Sequence, residues 1–170
     1  FAYEQFGIKP DIMCCAKGIG GGIPIGAVLT SSKIADCMQL GSHGSTFGGN
    51  PLACAVAEKV MTLLSKKTLL NGVKKKEKLF VAGLKEINKE FQCFEEIRSS
   101  GLWIGCKLKV QDGFNLDTMM QACYERGLMI LKANNNTIRI APSLIIEDAL
   151  ILKGLKVLKS AIQAQLHPQH

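Results

Sequence analysis

A single lysine stands between a short apolar run and a glycine-rich segment near the start of the chain. The run from Ile12 to Ala16 ends at Lys17, and five glycines follow within nine residues, at positions 18, 20, 21, 22 and 26. The apolar run predicts a buried strand, and the glycines permit the backbone to approach a bulky group closely. These features together predict a strand that delivers a lysine to a flexible loop.

Several kinds of site place lysine beside glycine, and the spacing separates them. A surface turn is the simplest interpretation. A phosphate-binding loop requires the lysine after the glycines, whereas Lys17 precedes them. A dinucleotide fingerprint requires a third glycine where Ile23 stands. A partly buried lysine amine of lowered pKa forms Schiff bases with carbonyls, so the pattern favours a carbonyl cofactor, with pyridoxal phosphate the obvious candidate.

A second glycine-rich segment, GSHGSTFGGNP, runs from Gly41 to Pro51. The segments AKGIGGGIPIGA and GSHGSTFGGNPLACAVA resemble the core of the class III (subgroup II) pyridoxal-phosphate aminotransferases, most closely the acetylornithine and succinylornithine group. The resemblance extends from Phe1 to about Ile162. Three further landmarks follow the family's order and spacing: FGIKPD, IRSSGLWIGCKL and TIRIAPSL.

The resemblance implies roles for four residues. The residue matching Lys17 holds pyridoxal 5'-phosphate as a Schiff base and moves a proton between substrate and cofactor. The residue matching Thr46 binds the cofactor phosphate, typically across a dimer interface, and that matching Ser45 contacts the acylated substrate. The residue matching Arg139 pairs with the substrate α-carboxylate. From the residues alone, Ser45 and Thr46 could be ordinary turn hydroxyls, and Arg139 could form a structural salt bridge.

The resemblance also implies a fold, a reaction and an assembly. The expected fold is α/β, the carboxy-terminal part of a fold-type I pyridoxal-phosphate transferase, with residues 1–65 ending the large cofactor domain and 66–170 forming a small α/β domain. The expected reaction transfers an amino group from N-acetylornithine, or a related acylated ornithine, to 2-oxoglutarate, as in arginine biosynthesis. The expected assembly is a cytoplasmic homodimer.

Two alternatives to this function stay open. The donor could be ornithine, 4-aminobutyrate or another ω-amine. Alternatively, the chain could be a catalytically silent fragment that folds and self-associates. We expect the chain to be a carboxy-terminal fragment that is inactive alone. In the family an aspartate pairs with the pyridine nitrogen of the cofactor, and nothing in this chain matches that residue's motif.

Composition argues against several other classes of protein. The net charge is +7, and the densest basic run is Lys74 to Lys76, with aromatic residues at only 6%. We interpret the run as a solvated helix surface and predict no nucleic-acid partner. No apolar run approaches the roughly 20 residues that span a bilayer. The seven cysteines lack CxxC spacing, which predicts reduced core residues, and the three histidines have no ligand spacing, so we predict no metal.

The local pattern predicts the secondary structure. Strands are expected at Ile12–Ala16, Ala27–Thr30, Phe94–Arg98, Leu102–Val110, Leu128–Lys132 and Thr137–Ala141, the last two forming a hairpin across Asn134, Asn135 and Asn136. Helices are expected at Pro51–Ser65 with Asn50 as its N-cap, Val73–Phe91, Leu116–Arg126 ending at Gly127, and Ile146–Gln165. The tail from His167 to His170 is expected to fray.

Overall fold

The chain divides into two compact units, Phe1–Lys66 and Lys67–His170. The structure is a computed structural model that describes residues 1–109, 114–134 and 136–166. Both units mix helices with antiparallel strands. That the first unit ends a larger cofactor domain, and that the second is the family's small domain, stays a prediction.

The first unit consists of a two-stranded ribbon and one long helix, joined by loops. Its helices are α1 (Ala2–Gln5), α2 (Ser32–Ala35) and α3 (Pro51–Leu64), and its strands are β1 (Ile12–Cys15) and β2 (Ala27–Thr30), with a 3₁₀ turn at Lys17–Gly20. The strands pair antiparallel, from Ile12 opposite Thr30 to Cys15 opposite Ala27. Both predicted strands are therefore present.

The prediction that β1 and β2 are buried is wrong for this chain. Ile12 is 55% exposed and Val28 is 66% exposed, and every residue of β2 is exposed. A two-stranded ribbon can bury its apolar side chains only against a further layer. Within the described residues the ribbon has no third strand, so these side chains remain accessible.

Helix α3 begins where the sequence predicts. The Asn50 side-chain oxygen accepts a hydrogen bond from the backbone N–H of Ala53 at 2.9 Å, and Pro51 occupies the first turn. Asparagine satisfies an otherwise unpaired helix N–H, and proline there has no N–H to lose. The predicted cap is confirmed.

The described residues of the second unit form a four-stranded antiparallel sheet and three helices. The helices are α4 (Lys67–Phe91), α5 (Leu116–Glu125) and α6 (Asp148–Leu166). The strands are β3 (Phe94–Ser100), β4 (Trp103–Leu108), β5 (Leu131–Lys132) and β6 (Thr137–Ile140), and their order in the sheet is β3-β4-β6-β5. Asn136 fixes the pairing of β4 with β6, because its side-chain amide donates to the carbonyl of Leu108 at 2.9 Å.

The core of the second unit lies on one face of its sheet. In β4, Ile104, Cys106 and Leu108 are buried, whereas Trp103 on the opposite face is exposed. Period-two alternation of this kind separates a packed face from an outer face. The three helices each contribute buried side chains to the same cluster, including Leu84 of α4, Met119 of α5 and Ile151 of α6.

Some element boundaries differ from the predicted ones. Helix α4 begins at Lys67, six residues before the predicted start at Val73. Val73 packs against the core, and the turns before it continue the same amphipathic helix. Only Leu131–Lys132 of the predicted strand from Leu128 pairs. The end of the predicted β4 at Val110, the turn residue Asn135 and the tail 167–170 lie outside the described residues.

The cysteines divide between the two units. All seven thiols are free, but only Cys93, Cys106 and Cys123 are buried. Burial raises the pKa of the Cys93 and Cys123 thiols to about 11 and that of Cys106 to about 12, because an apolar environment disfavours the thiolate. The prediction of core cysteines is wrong for three first-unit residues, which the loops and outer surfaces leave exposed: Cys14, Cys37 and Cys54.

None of the helices in the described ranges is both long enough and apolar enough to cross a membrane.

Candidate active site

Lys17 occupies the junction between β1 and the glycine-rich loop. Strand β1 ends at Cys15, Ala16 continues the extended backbone, and Lys17 begins the 3₁₀ turn with a left-handed backbone, φ +54°. Left-handed φ is uncommon for a residue with a side chain, and such positions cluster at functional sites. The turn is closed by the N–H of Ile19, which donates to the carbonyl of Ala16 at 3.4 Å.

The Lys17 side chain is exposed, so the described residues do not supply the partial burial that the sequence predicts. Nor does its amine form a hydrogen bond or ion pair with any side chain in the described part of the chain. The amine is therefore accessible for reaction with an incoming group.

Two of the loop glycines are required by packing within the first unit. A Cβ on Gly20 would lie 2.9 Å from Cγ2 of Ile25, and one on Gly21 would lie 3.0 Å from Cγ2 of Val60 in α3. Gly21 also has a left-handed backbone, φ +55°. Gly18 and Gly22, in contrast, face open space. Packing therefore accounts for Gly20 and Gly21, whereas it places no such demand on Gly18 and Gly22 among the described residues.

Ser45 and Thr46 lie in the loop that leads into α3. The carbonyl of Ser45 accepts from the N–H of Gly48 at 3.3 Å, and the Asn50 amide donates to the carbonyl of Phe47 at 2.8 Å. These bonds hold the loop just before the helix. Both side chains are exposed, and neither hydroxyl has a partner among the described residues. The hydroxyls are available for a phosphate, which binds well to hydroxyl and backbone donors.

Arg139 lies on β6 of the second unit, on the outer face of the sheet. Gly105 is its neighbour on β4 and Leu131 its neighbour on β5. The alternative of a structural salt bridge is wrong within the described ranges, because no carboxylate there pairs with its guanidinium. Its recorded contact is instead with Trp103, whose ring centroid lies 5.6 Å from the guanidinium carbon.

A cavity of about 330 Å³ opens on this face of the sheet. Its lining includes Arg98, Ser100, Trp103, Gly105, Thr137 and Arg139. Sequence reasoning missed Trp103 and Arg98. The period-two pattern of β4 places Trp103 on the outer face, but the register that brings it beside Arg139 depends on which strands pair.

The predicted residues fall into two groups. Lys17, Ser45 and Thr46 belong to the first unit, and no hydrogen bond or ion pair joins them among the described residues. Arg139 belongs to the second unit. No group of three or more histidine, cysteine or acidic residues in the described part of the chain is arranged to hold a metal ion.

The donors of the first group suit pyridoxal phosphate. The cofactor needs an accessible amine for its aldehyde and hydroxyl or N–H donors for its phosphate. Lys17 offers the amine, and Ser45 and Thr46 offer unpartnered hydroxyls. The residues present therefore fit the cofactor that the resemblance implies.

Known proteins similar to this chain are aminotransferases. It is 45% identical to the acetylornithine/succinyldiaminopimelate aminotransferase of Buchnera aphidicola over 98% of its length, which is 41% of that relative. It is 47% identical to the succinylornithine transaminase of Yersinia pseudotuberculosis, covering 96% of the chain and 39% of the relative. The chain thus spans about two fifths of the length of these curated relatives.

The solved structures that this chain resembles are also aminotransferases. The N-acetylornithine aminotransferase of Stenotrophomonas maltophilia matches with a TM-score of 0.85 and 35% identity, over 98% of this chain and 43% of that one. The ornithine aminotransferase of Toxoplasma gondii matches with a TM-score of 0.88 and 28% identity, over 97% of this chain and 39% of that one. The predicted fold is therefore confirmed.

The family described as Aminotransferase class-III matches residues 1–162. That match covers nearly the whole chain, and it includes the lysine turn of the first unit and the arginine strand of the second. The chain belongs to the class III aminotransferase family.

Proposed function

We propose that the whole protein transfers an amino group from N-acetylornithine, or a related acylated ornithine, to 2-oxoglutarate. The observation that carries the proposal is the Lys17 turn, which presents an accessible amine on a left-handed backbone at the end of β1. The donor is inferred from the relatives, which are named for acetylornithine and succinylornithine and are 45–47% identical to this chain.

The proposed cofactor is pyridoxal 5'-phosphate. When bound, it supplies the aldehyde that takes up the amino group and a conjugated ring that withdraws electrons from the reacting carbon. Lys17 would hold it through the side-chain nitrogen, and the Thr46 hydroxyl would donate to its phosphate. Family resemblance places Thr46 and Ser45 at the site of a partner subunit, so we also propose a homodimer, located in the cytoplasm.

Each residue of this chain then has a distinct task. The Nζ atom of Lys17, once released, accepts a proton from the substrate carbon that bears the amino group and later returns one. Ser45 contacts the acylated end of the donor. Arg139 binds a substrate carboxylate, for which a guanidinium provides two parallel donors. The absence of a competing carboxylate beside Arg139 within the described residues supports this last role.

Ornithine is the second candidate donor. It is supported by the high TM-score of 0.88 to the Toxoplasma gondii ornithine aminotransferase. The sequence identity there is 28%, below the 35% found with the solved structure of the Stenotrophomonas maltophilia N-acetylornithine aminotransferase. The acylated donor is therefore the first choice, and a direct comparison of the two donors at equal concentration decides between them.

The test of the proposal is chemical labelling in the full-length protein. Borohydride reduces the carbon–nitrogen double bond that joins a lysine to an aldehyde, which makes the link permanent. After reduction with pyridoxal phosphate bound, peptide mapping is expected to find the label on Lys17. Lys17→Ala is expected to abolish turnover with acetylornithine and 2-oxoglutarate, because the variant lacks the amine that would hold the cofactor and move the substrate proton.

Lys9→Ala is the matched control. Lys9 is exposed and belongs to the same unit, so this variant removes one positive charge without touching the turn. It should retain both the label on Lys17 and the turnover. Mapping of the label to a different lysine would overturn the assignment of Lys17.

A further inference from the structure

Three residues lie in one row across neighbouring strands of the second unit. Arg98 of β3 is directly opposite Gly105 of β4, which is directly opposite Arg139 of β6. Directly opposed residues of antiparallel strands extend their side chains from the same face. Because Ile104 and Cys106 beside Gly105 are buried, this row belongs to the outer face of the sheet.

Gly105 leaves open space between the two arginines. Among the described residues, a Cβ there would meet only Cγ2 of Thr137, at the ordinary contact distance of 3.9 Å. Its backbone does not have the positive φ that favours glycine, so neither the fold nor the strand geometry demands a glycine. The gap is part of the cavity of about 330 Å³ on this face. Strand β4 lies between the strands of Arg98 and Arg139. Because neighbouring strands are about 4.8 Å apart, the backbones of the two arginines are roughly 10 Å apart. The space over Gly105 between them is wide enough for a small acid.

The two arginines differ in their partners. Nε of Arg98 pairs with a carboxylate oxygen of Glu96 at 3.3 Å, and both side chains are more than half exposed. Arg139 has no such partner in the described part of the chain and instead lies 5.6 Å from the centroid of the Trp103 ring. A cation over an aromatic face is attracted by the ring, yet all five N–H donors of a guanidinium stay available at its edge.

Trp103 is otherwise poorly placed for a large apolar residue. It is 65% exposed and lies on the outer face, so it does not contribute to the core of its unit. Its ring instead contacts the Arg139 guanidinium, and both residues line the same cavity. A long, flexible side chain binds an acid more tightly when its conformation is fixed beforehand.

We propose that Trp103 is a positioning residue for substrate, whose ring holds the Arg139 guanidinium toward a carboxylate bound in the cavity over Gly105. The inference rests on the proposed function, because it takes the ligand of Arg139 to be a carboxylate substrate. It adds to the proposed site a residue on β4 that acts through Arg139.

The test measures affinity for 2-oxoglutarate in the full-length protein by calorimetry, alongside steady-state kinetics. Trp103→Leu is expected to weaken binding about 2- to 5-fold, the range of an exposed cation–π pair. The effect should appear as a raised KM with kcat nearly unchanged, because the contact is present before and during reaction. Trp103→Phe keeps an aromatic face and should restore most of the affinity.

A double-variant comparison separates positioning from general damage. Arg139→Lys keeps the charge but loses the two-pronged donor geometry. Its expected cost is about 10- to 150-fold in affinity, as for a lost charge-assisted pair. If Trp103 acts through Arg139, Trp103→Leu should add nothing to Arg139→Lys. Fully additive losses would overturn the proposal, as would unchanged affinity in Trp103→Leu.

Phe91→Leu is the matched control. The Phe91 ring lies under the Lys159 ammonium at 5.9 Å, so this variant removes another cation–ring contact from the same unit but away from the cavity. Affinity for 2-oxoglutarate should not change. Thermal melting of each variant detects a loss of folding, in which case Trp103→Phe carries the test. If the protein turns over normally and Trp103→Leu leaves the affinity for 2-oxoglutarate unchanged, this inference alone is rejected. If borohydride reduction places no label on Lys17, the proposed function is rejected.

Discussion

The two units of this chain hold their predicted site residues in different ways. In the first unit only Gly20 and Ala53 are buried, and Phe47, next to Thr46, is 82% exposed. The second unit contains the whole hydrophobic core cluster, on which the strand of Arg139 lies. Arg139 is therefore positioned by the packed core of its own unit, whereas the Lys17 turn is held by a few contacts with nearby residues of the first unit.

The largest effect should come from separating the units. We expect residues 67–170 to fold alone with a cooperative thermal transition, because their core is internal. Residues 1–66 alone should show no such transition, because they leave apolar side chains and ribbon edges uncovered. Circular dichroism melts of the two pieces provide the measurement. A sharp transition in residues 1–66 would remove the contrast.

Matched leucines test the same contrast at single residues. Leu84 of α4 is 0% exposed and Leu52 of α3 is 67% exposed. Leu84→Ala should lower the free energy of unfolding by about 2–5 kcal/mol, through lost burial and a cavity. Leu52→Ala should change it by no more than about 0.5 kcal/mol, as at other surface sites. Chemical denaturation of the 170-residue chain measures both, and equal effects would contradict the burial difference.

A smaller effect is expected at the Lys17 turn. Gly21 has φ +55°, and a Cβ there would lie 3.0 Å from Val60 of α3. Gly21→Ala should destabilise the turn by about 1–2 kcal/mol, the cost of a left-handed residue with a side chain. Hydrogen exchange of the amides around Lys17 should therefore become faster. Gly18→Ala is the control, because Gly18 faces open space and should leave the exchange nearly unchanged.

The last contrast between the units concerns the thiols at alkaline pH. The buried thiols have pKa values raised by burial, with Cys106 at about 12 and Cys93 at about 11, against an ordinary value of 9.0 in the unfolded chain. The folded state therefore retains these protons more strongly. Their contribution to stability is fully present below pH 9 and is lost as the pH rises through the folded values.

Alkylation gives the direct measurement, since the thiolate is the reactive form. In the 170-residue chain near neutral pH, iodoacetamide should label the exposed Cys14 and Cys37 well before Cys93 and Cys106. Unfolding the chain in denaturant should make the rates similar. Equal rates in the folded chain would show that the second unit opens as readily as the first.

Local chemistry predicted some features of the fold well. The Asn50 cap is confirmed by its bond to Ala53 at 2.9 Å. Gly127 ends α5 as predicted, with φ +78° and its N–H donating to the carbonyl of Tyr124 at 2.9 Å. Caps depend on a few neighbouring residues, so a single sequence contains the information they need.

Features that depend on distant residues were predicted less well. Ile12 belongs to an apolar run that predicts burial, yet it is 55% exposed, because burial depends on which elements cover a strand. The pairing of Arg139 with Trp103 follows from the register of β4 and β6, which no local pattern specifies. Likewise, the left-handed backbone of Lys17 is invisible in a sequence that shows only a lysine followed by glycine.

That left-handed backbone implies a trade-off at one position between the stability of the fold and the presence of a reactive amine. Outside glycine, a residue held at φ +54° costs of order 1–3 kcal/mol. A glycine in place of Lys17 would relax the turn but leave no nitrogen to react. If Lys17 has the role we propose, selection retains a locally unfavourable residue, and variants chosen only for heat resistance would tend to replace it.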